Sequence, residues 1–149
     1  MPARLLLLFV LGVVAGALIT LQSILNAGLG KRAGDLGAVF VVTLVSIAAL
    51  VPLLLLFPST GHLRSLPGPS QWYLYAGGLL GIVIILAPIL LVPRIGATAT
   101  LTALVVGQLG LAVLIDQFGL LGAPRIALSP ARLLGVLLLV LGTFFIVRK

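Results

Sequence analysis

Residues 36–57 read LGAVFVVTLVSIAALVPLLLLF and contain no charged side chain. The hydrocarbon core of a bilayer is about 30 Å thick, and a helix of about 20 apolar residues crosses it. Comparable stretches lie on both sides of this one, in a chain that is 62% hydrophobic and 7% charged. In soluble domains about a quarter of the residues carry a charge. The composition therefore predicts an all-α membrane protein embedded in a lipid bilayer.

The uncharged stretches predict a single domain of five transmembrane helices packed as a bundle. Trp72, Tyr73 and Tyr75 open the third span, where aromatic residues are expected at the level of the lipid headgroups. Ser129 and Pro130 start the fifth span, as an N-cap residue and a first-turn proline. The five predicted spans are residues 5–26, 36–57, 72–92, 97–120 and 130–147.

The first stretch allows two interpretations. Arg4, the apolar run after it and the small residues 15–17 also fit a cleavable leader peptide. The apolar run continues to Leu25, which is spanning length, so we expect a retained first helix.

Glycine, proline and paired charges mark the expected ends of two spans. Gly28, Gly30 and the Lys31–Arg32 pair are expected to end the first span, and Pro93 with Arg94 the third.

Several functional classes are excluded by composition. Cysteine is absent and His62 is the only histidine, so neither a metal site nor a cofactor is expected. The basic residues form no stripe interleaved with aromatic residues, which excludes a nucleic-acid partner. The predicted spans hold one aspartate and no histidine, too few groups for a nucleophile with a base or for paired carboxylates. We therefore do not expect an enzyme.

The distribution of positive charge leaves the orientation in the membrane open. Five spans place the termini on opposite sides, and an excess of Lys and Arg normally marks the cytoplasmic side. A few charges such as Lys31–Arg32 could still decide a single orientation. The alternative is dual topology, in which copies insert both ways and pair as an antiparallel homodimer. The N-terminal side receives Arg4, Arg64, Arg125 and Arg132, and the other side receives Lys31, Arg32, Arg94, Arg148 and Lys149.

Four polar side chains inside the spans are the candidate substrate-binding residues: Gln22, Asn26, Gln108 and Asp116. Placing a polar side chain in lipid costs free energy, so each of these residues is expected to have a function that justifies the cost. Gln22 and Asn26 are four residues apart and are expected to stack on one helix face. Gln108 could form an interhelical hydrogen bond or bind substrate. Asp116 could form an ion pair with Arg125 or Arg132, or accept a proton or a cationic substrate.

An antiparallel dimer would bring these residues to related depths. Asp116 of one copy would lie at the depth of Gln22 and Asn26 of its partner, and the two Gln108 side chains would meet near the two-fold axis. The result would be a polar central cavity between inverted repeats, as in alternating-access transporters. The sequence leaves open whether the partner is a second copy of this chain or a paralogue.

Six short motifs occur in order along the chain: Gln22-Ser-Ile-Leu-Asn26-Ala, Gly77-Gly-Leu-Leu-Gly81, Pro93-Arg-Ile-Gly-Ala-Thr98, Gly107-Gln108-Leu, Asp116-Gln-Phe-Gly-Leu-Leu-Gly122 and Arg132-Leu-Leu-Gly135. With these motifs the chain resembles the YdcZ-like family of the drug/metabolite transporter superfamily, a family of short bacterial inner-membrane proteins. The resemblance covers nearly the whole chain. It implies a five-helix half-transporter that works as a dimer, in a family with dual-topology and paired-gene members.

The chain differs from the related small multidrug exporters in one respect. Those proteins rely on a glutamate in their first helix, whereas this chain has no glutamate and offers Gln22 there. Their proton coupling therefore does not transfer directly, and Asp116 is the one intramembrane candidate for it.

The leading hypothesis is a secondary transporter that moves a small organic metabolite or drug across the bacterial inner membrane. The alternative is a non-transporting accessory subunit that packs against another membrane protein.

Overall fold

The computed structural model describes residues 3–148, apart from the side chain of Arg64. Within that range the protein is all-α, without a strand, and has five helices long and apolar enough to cross a bilayer. The prediction of five apolar helices is confirmed, whereas their assembly into one domain stays a prediction. Lys149, one of the basic residues counted above, lies outside the described range. The helices are α1 (Ala3–Ala33), α2 (Asp35–Leu56), α3 (Ala76–Ile95), α4 (Ala97–Phe118) and α5 (Pro130–Val147).

The helices belong to two compact units, one ending at Pro93 and the other beginning at Arg94. The first unit contains α1, α2 and nearly all of α3. Its small apolar core consists of Ala38 and Val39 from α2 with Ile89 from α3. The second unit contains α4 and α5, which contact each other as a hairpin. Most large apolar side chains of both units are exposed, as helices that face lipid require.

Helix α1 is longer than the predicted first span. It passes through Gly28 and Gly30 and ends at Ala33, so the prediction that these glycines end the helix is wrong. A glycine inside a helix costs only about 1 kcal/mol. The helix ends instead where Gly34 adopts φ +76°, a left-handed conformation that favours glycine. At 1.5 Å per residue α1 is about 46 Å long, so it extends beyond the hydrocarbon core.

The boundaries of α3 also differ from the predicted third span. Trp72, Tyr73 and Tyr75 lie in 3-10 turns over Pro69–Tyr75, and the α-helix begins only at Ala76. The Tyr75 hydroxyl donates a hydrogen bond to the Pro67 carbonyl at 2.9 Å, which ties these turns to the preceding loop.

At its other end, α3 continues through Pro93 to Ile95, so the expected stop at Pro93 and Arg94 is displaced. Gly96, at φ +83°, separates α3 from α4. Glycine, rather than proline, therefore ends the helix here, as it does at the end of α1.

The loop between α4 and α5 is bounded by recognisable helix caps. Gly119 is left-handed and its N–H donates to the Ile115 carbonyl, so α4 ends at Phe118, two residues before the predicted end of the span. Ser129 Oγ accepts a hydrogen bond from the Arg132 N–H at 3.3 Å, and Pro130 is the first residue of α5. The predicted start of the fifth helix is confirmed.

Candidate functional site

Asp116 forms an ion pair with Arg132. An oxygen of the carboxylate, Oδ2, lies 3.4 Å from Nη1 of the guanidinium, and the side chains of Asp116 and Arg132 are 31% and 40% exposed. Charge-assisted hydrogen bonds are normally about 2.7–2.9 Å long, so the two groups attract each other without a tight hydrogen bond. Of the two arginines considered from the sequence, the structure selects Arg132. Both charges keep accessible surface.

A cleft of about 370 Å³ lies between α4 and α5. The ion pair stands at the end of the hairpin nearest the loop, since Asp116 is two residues from the end of α4 and Arg132 is in the first turn of α5. All other walls of the cleft are apolar. The cleft is lined by Leu109, Ala112, Val113, Asp116, Arg132, Gly135, Val136 and Leu139.

The loop after α4 folds back onto the last turn of that helix. Gln117 Oε1 accepts a hydrogen bond from the Leu128 N–H at 2.6 Å, and the Gln117 carbonyl accepts one from Arg125 Nε at 3.2 Å. The Asp116 carbonyl accepts a third hydrogen bond, from the Ile126 N–H at 2.8 Å. These bonds hold the loop over the end of α4 and set the position from which α5 begins. They thereby bring Arg132 to Asp116.

Gln117 is a structural residue that the sequence analysis did not select. An irregular loop has backbone N–H groups that need acceptors when they leave water. A glutamine in the last turn of a helix, directly before such a loop, can supply an acceptor. That combination is the signal by which Gln117 could have been found.

Gln108 lies away from the cleft. Eight residues separate it from Asp116, which corresponds to about 12 Å of rise and a rotation of about 80° beyond two full turns. Leu109 lines the cleft, whereas Gln108 is exposed on another side of α4. Among residues 3–148 its side chain has no hydrogen-bond partner. The structure therefore does not bring Gln108 and Asp116 into one site within the hairpin.

Gln22 and Asn26 belong to the first unit, and their environments differ. Asn26 is only 8% exposed and lies among the buried residues Ser23, Ala27 and Gly30 of α1. Gln22 is exposed, and no described side chain or backbone group bonds to its amide. Four residues turn a helix by 40° beyond one turn, so the two amides lie on the same side of α1 although their burial differs.

Hydroxyl groups in the helices are satisfied locally. Thr20, Thr43 and Ser46 each donate a hydrogen bond to the carbonyl four residues earlier, at 2.9–3.0 Å. A hydroxyl bonded in this way needs no partner from another helix. The side-chain amides and the Asp116–Arg132 ion pair are thus the polar groups to be considered for a role in function.

Comparison with known families bears on that question. A family model described as "Putative inner membrane exporter, YdcZ" matches residues 7–145. This chain belongs to the YdcZ family. No curated protein and no solved structure matches it.

Membership of the YdcZ family has consequences for the whole chain. The matched residues reach from the first turns of α1 to the end of α5, so the family assignment applies to both units. The protein is a membrane transporter of the inner membrane and is not an enzyme. The prediction of a YdcZ-like, five-helix membrane transporter is confirmed.

Proposed function

We propose that this protein exports a small organic molecule through a polar passage formed by two copies inserted in opposite orientations. The five helices act together as one domain of each copy. Gln22, Asn26 and Gln108 hydrogen-bond the solute along the passage. Asp116 selects its charge or couples its movement to protons.

One observation carries this proposal: two amides on apolar helices are left uncovered by their own unit. Gln22 is exposed on α1 and Gln108 on α4. A polar group without a hydrogen-bond partner in hydrocarbon costs several kcal/mol. Something outside each unit must therefore satisfy these amides, and a water-filled passage would do so for both.

An antiparallel partner supplies such a passage with the same set of residues. The four basic residues assigned to one membrane side and the five assigned to the other impose little bias on insertion. With two opposed copies, the depth of Asp116 in one matches that of Gln22 and Asn26 in the other. Two oppositely oriented halves around a central site can alternate between inward-open and outward-open states.

The ion pair limits what Asp116 can do in transport. A cationic solute or a proton that takes the carboxylate must compete with Arg132, 3.4 Å away. Neutralising Asp116 removes the negative charge that attracts the Arg132 guanidinium. Binding of a proton or a cationic solute to the Asp116 carboxylate would therefore be coupled to movement of the Arg132 side chain.

Uptake into proteoliposomes tests the proposal. Radiolabelled choline, benzoate, leucine and glucose represent a cation, an anion, a zwitterion and a neutral solute. We expect at least one of them to accumulate faster than in liposomes without protein. Gln108→Leu should slow that flux about tenfold, the effect of losing one hydrogen bond worth about 1.4 kcal/mol. Leu111→Ala, at another exposed position of α4, is the matched control and should leave the flux unchanged.

Other outcomes would contradict parts of the proposal. If Asp116→Asn keeps both the flux and its response to an imposed pH gradient, Asp116 has no coupling role. If none of the four solutes moves faster than in protein-free liposomes while the protein is a monodisperse dimer, the accessory-subunit alternative is favoured.

A further inference from the structure

The polar end of the α4–α5 cleft presents one positive and one negative group side by side. Asp116 and Arg132 both line the cleft, and about a third of each side chain remains accessible. Among the side chains that the structure describes, no other charged group lines it. The site is therefore neutral as a whole but strongly dipolar.

Electroneutrality decides which ligands suit such a site. A cation bound to Asp116 alone would draw the carboxylate away from Arg132 and leave the guanidinium unpaired. An anion bound to Arg132 alone would do the same to Asp116. The pair keeps accessible surface, but the apolar walls of the cleft lower the effective dielectric around it, so separating its two charges costs Coulomb energy. A ligand carrying both an ammonium and an acidic group compensates both side chains at once.

The remaining walls of the cleft suit an apolar body of limited size. They consist of aliphatic side chains and glycine, with Leu109 and Leu139 farthest from the ion pair. Seven residues of α4 separate Leu109 from Asp116, which is about 10 Å of helix. The acyl chain of a membrane lipid occupies half of the hydrocarbon core, about 15 Å. The cleft is thus too short for a lipid chain, and its 370 Å³ is within the range of small-molecule sites.

We propose that the α4–α5 cleft binds a small, net-neutral zwitterion with an apolar body. Its ammonium group faces Asp116, its acidic group faces Arg132, and its apolar part lies along α4 and α5 toward Leu109. The inference rests on the proposed function in that this zwitterion is the class of solute the transporter carries. Aliphatic amino acids have the required charges and size.

Three ligands of nearly the same shape test the charge requirement on the unaltered protein. L-leucine is the zwitterion, L-leucinamide its cation and 4-methylpentanoate its anion. Binding to the full-length protein in dodecyl maltoside at pH 6 is measured by titration calorimetry. We expect saturable binding of L-leucine at least tenfold tighter than that of either singly charged analogue. Equal binding of the three, or no binding of L-leucine, would overturn the proposal.

Variants test the two side chains separately. Asp116→Asn and Arg132→Gln should each weaken L-leucine binding at least tenfold. Asp35→Asn and Arg94→Gln remove like charges outside the cleft and should leave L-leucine binding unchanged. Wild-type affinity in both cleft variants would contradict the assignment. Because the three-ligand comparison needs no variant, a variant that fails to fold leaves it intact.

Two further measurements distinguish this inference from binding of a lipid headgroup and from the proposed transport function. They are competition by added lipid and solute flux. If phosphatidylethanolamine added to the micelles displaces L-leucine while phosphatidylglycerol does not, the occupant is a lipid headgroup and the proposal is wrong. If the protein transports choline, benzoate or glucose but does not bind L-leucine, the proposed transport function stands and the proposed zwitterion site is wrong. If the protein binds L-leucine but transports none of the four solutes, the zwitterion site stands and the proposed transport function is wrong.

Discussion

Gln117 shows how one side chain can position a charged pair in which it takes no part. Its side-chain oxygen holds the Leu128 N–H, and its carbonyl holds Arg125. Between them these bonds bring the start of α5 close to the end of α4. The distance between Asp116 and Arg132 therefore depends on a neighbour whose own side chain is outside the cleft.

Replacing Gln117 tests this positioning role. Gln117→Leu should free the Leu128 N–H, speed hydrogen exchange over residues 126–128 and lower the free energy of unfolding by about 1 kcal/mol, the net worth of a typical hydrogen bond. Hydrogen exchange with mass spectrometry measures the first effect. Gln117→Glu keeps an acceptor oxygen and should stay close to wild type. Unchanged exchange in the leucine variant would show that the loop is held by other contacts.

At the level of the helices, α5 depends on its N-terminal cap. It is the shortest of the five, with 18 residues, and Ser129 satisfies one of its free N–H groups. Ser129→Ala should lower the free energy of unfolding by about 1 kcal/mol, because that N–H loses its acceptor. Ser129→Asp should restore it. Unfolding in mixed dodecyl maltoside and SDS micelles, followed by circular dichroism, gives the values.

A second serine provides the control for this substitution. Ser46 is exposed and bonds only the Val42 carbonyl of its own helix. Ser46→Ala should change the free energy of unfolding by less than about 0.5 kcal/mol, the usual range for such surface positions. Equal effects at the two serines would mean that the cap contributes nothing specific.

The contact between α1 and α3 depends on the absence of a side chain at Gly30. A Cβ added there would lie 2.5 Å from Cγ2 of Ile89, a residue of the buried cluster. Gly30→Ala should therefore destabilise the first unit by about 1–3 kcal/mol, as overpacking usually does. The same detergent unfolding assay measures it. Gly30→Ala/Ile89→Leu should recover part of the loss, because leucine has no methyl group on Cβ and therefore lacks the clashing Cγ2 atom.

Gly28 is the matched control on the same helix. A Cβ at Gly28 would meet nothing within 4 Å. Gly28→Ala should be neutral or stabilising by up to about 1 kcal/mol, because alanine is the better helix former. If Gly30→Ala is also neutral or stabilising, Ile89 does not pack against α1 at Gly30 as described.

For the whole molecule, the orientation in the membrane decides whether two copies can form the proposed antiparallel dimer. Fusion of the C-terminus to alkaline phosphatase, active outside the cytoplasm, and to green fluorescent protein, active inside it, reports both orientations. We expect signal from both reporters, because the basic residues are almost evenly divided between the two sides. Adding three lysines after residue 149 should bias the reporters toward one orientation. A signal from only one reporter before that change would point to a parallel or heteromeric assembly.

The glycine pairs on the helices also bear on assembly. Gly12 with Gly16, and Gly77 with Gly81, are spaced for close helix packing in lipid. Yet a Cβ at any of the four would meet nothing within 4 Å. Within the described part of the first unit, these pairs therefore pack against no other helix.

Sequence and tertiary structure determined different parts of this protein. Membrane residence, the five helices and the cap at Ser129 follow from the sequence, because they depend on local composition, length and capping chemistry. Selection of Arg132 over Arg125 as the partner of Asp116 required the path of the loop. So did the role of Gln117, whose bonds reach across 8 and 11 residues. The different burial of Gln22 and Asn26 depended on packing, because residues distant in sequence decide which helix face is covered.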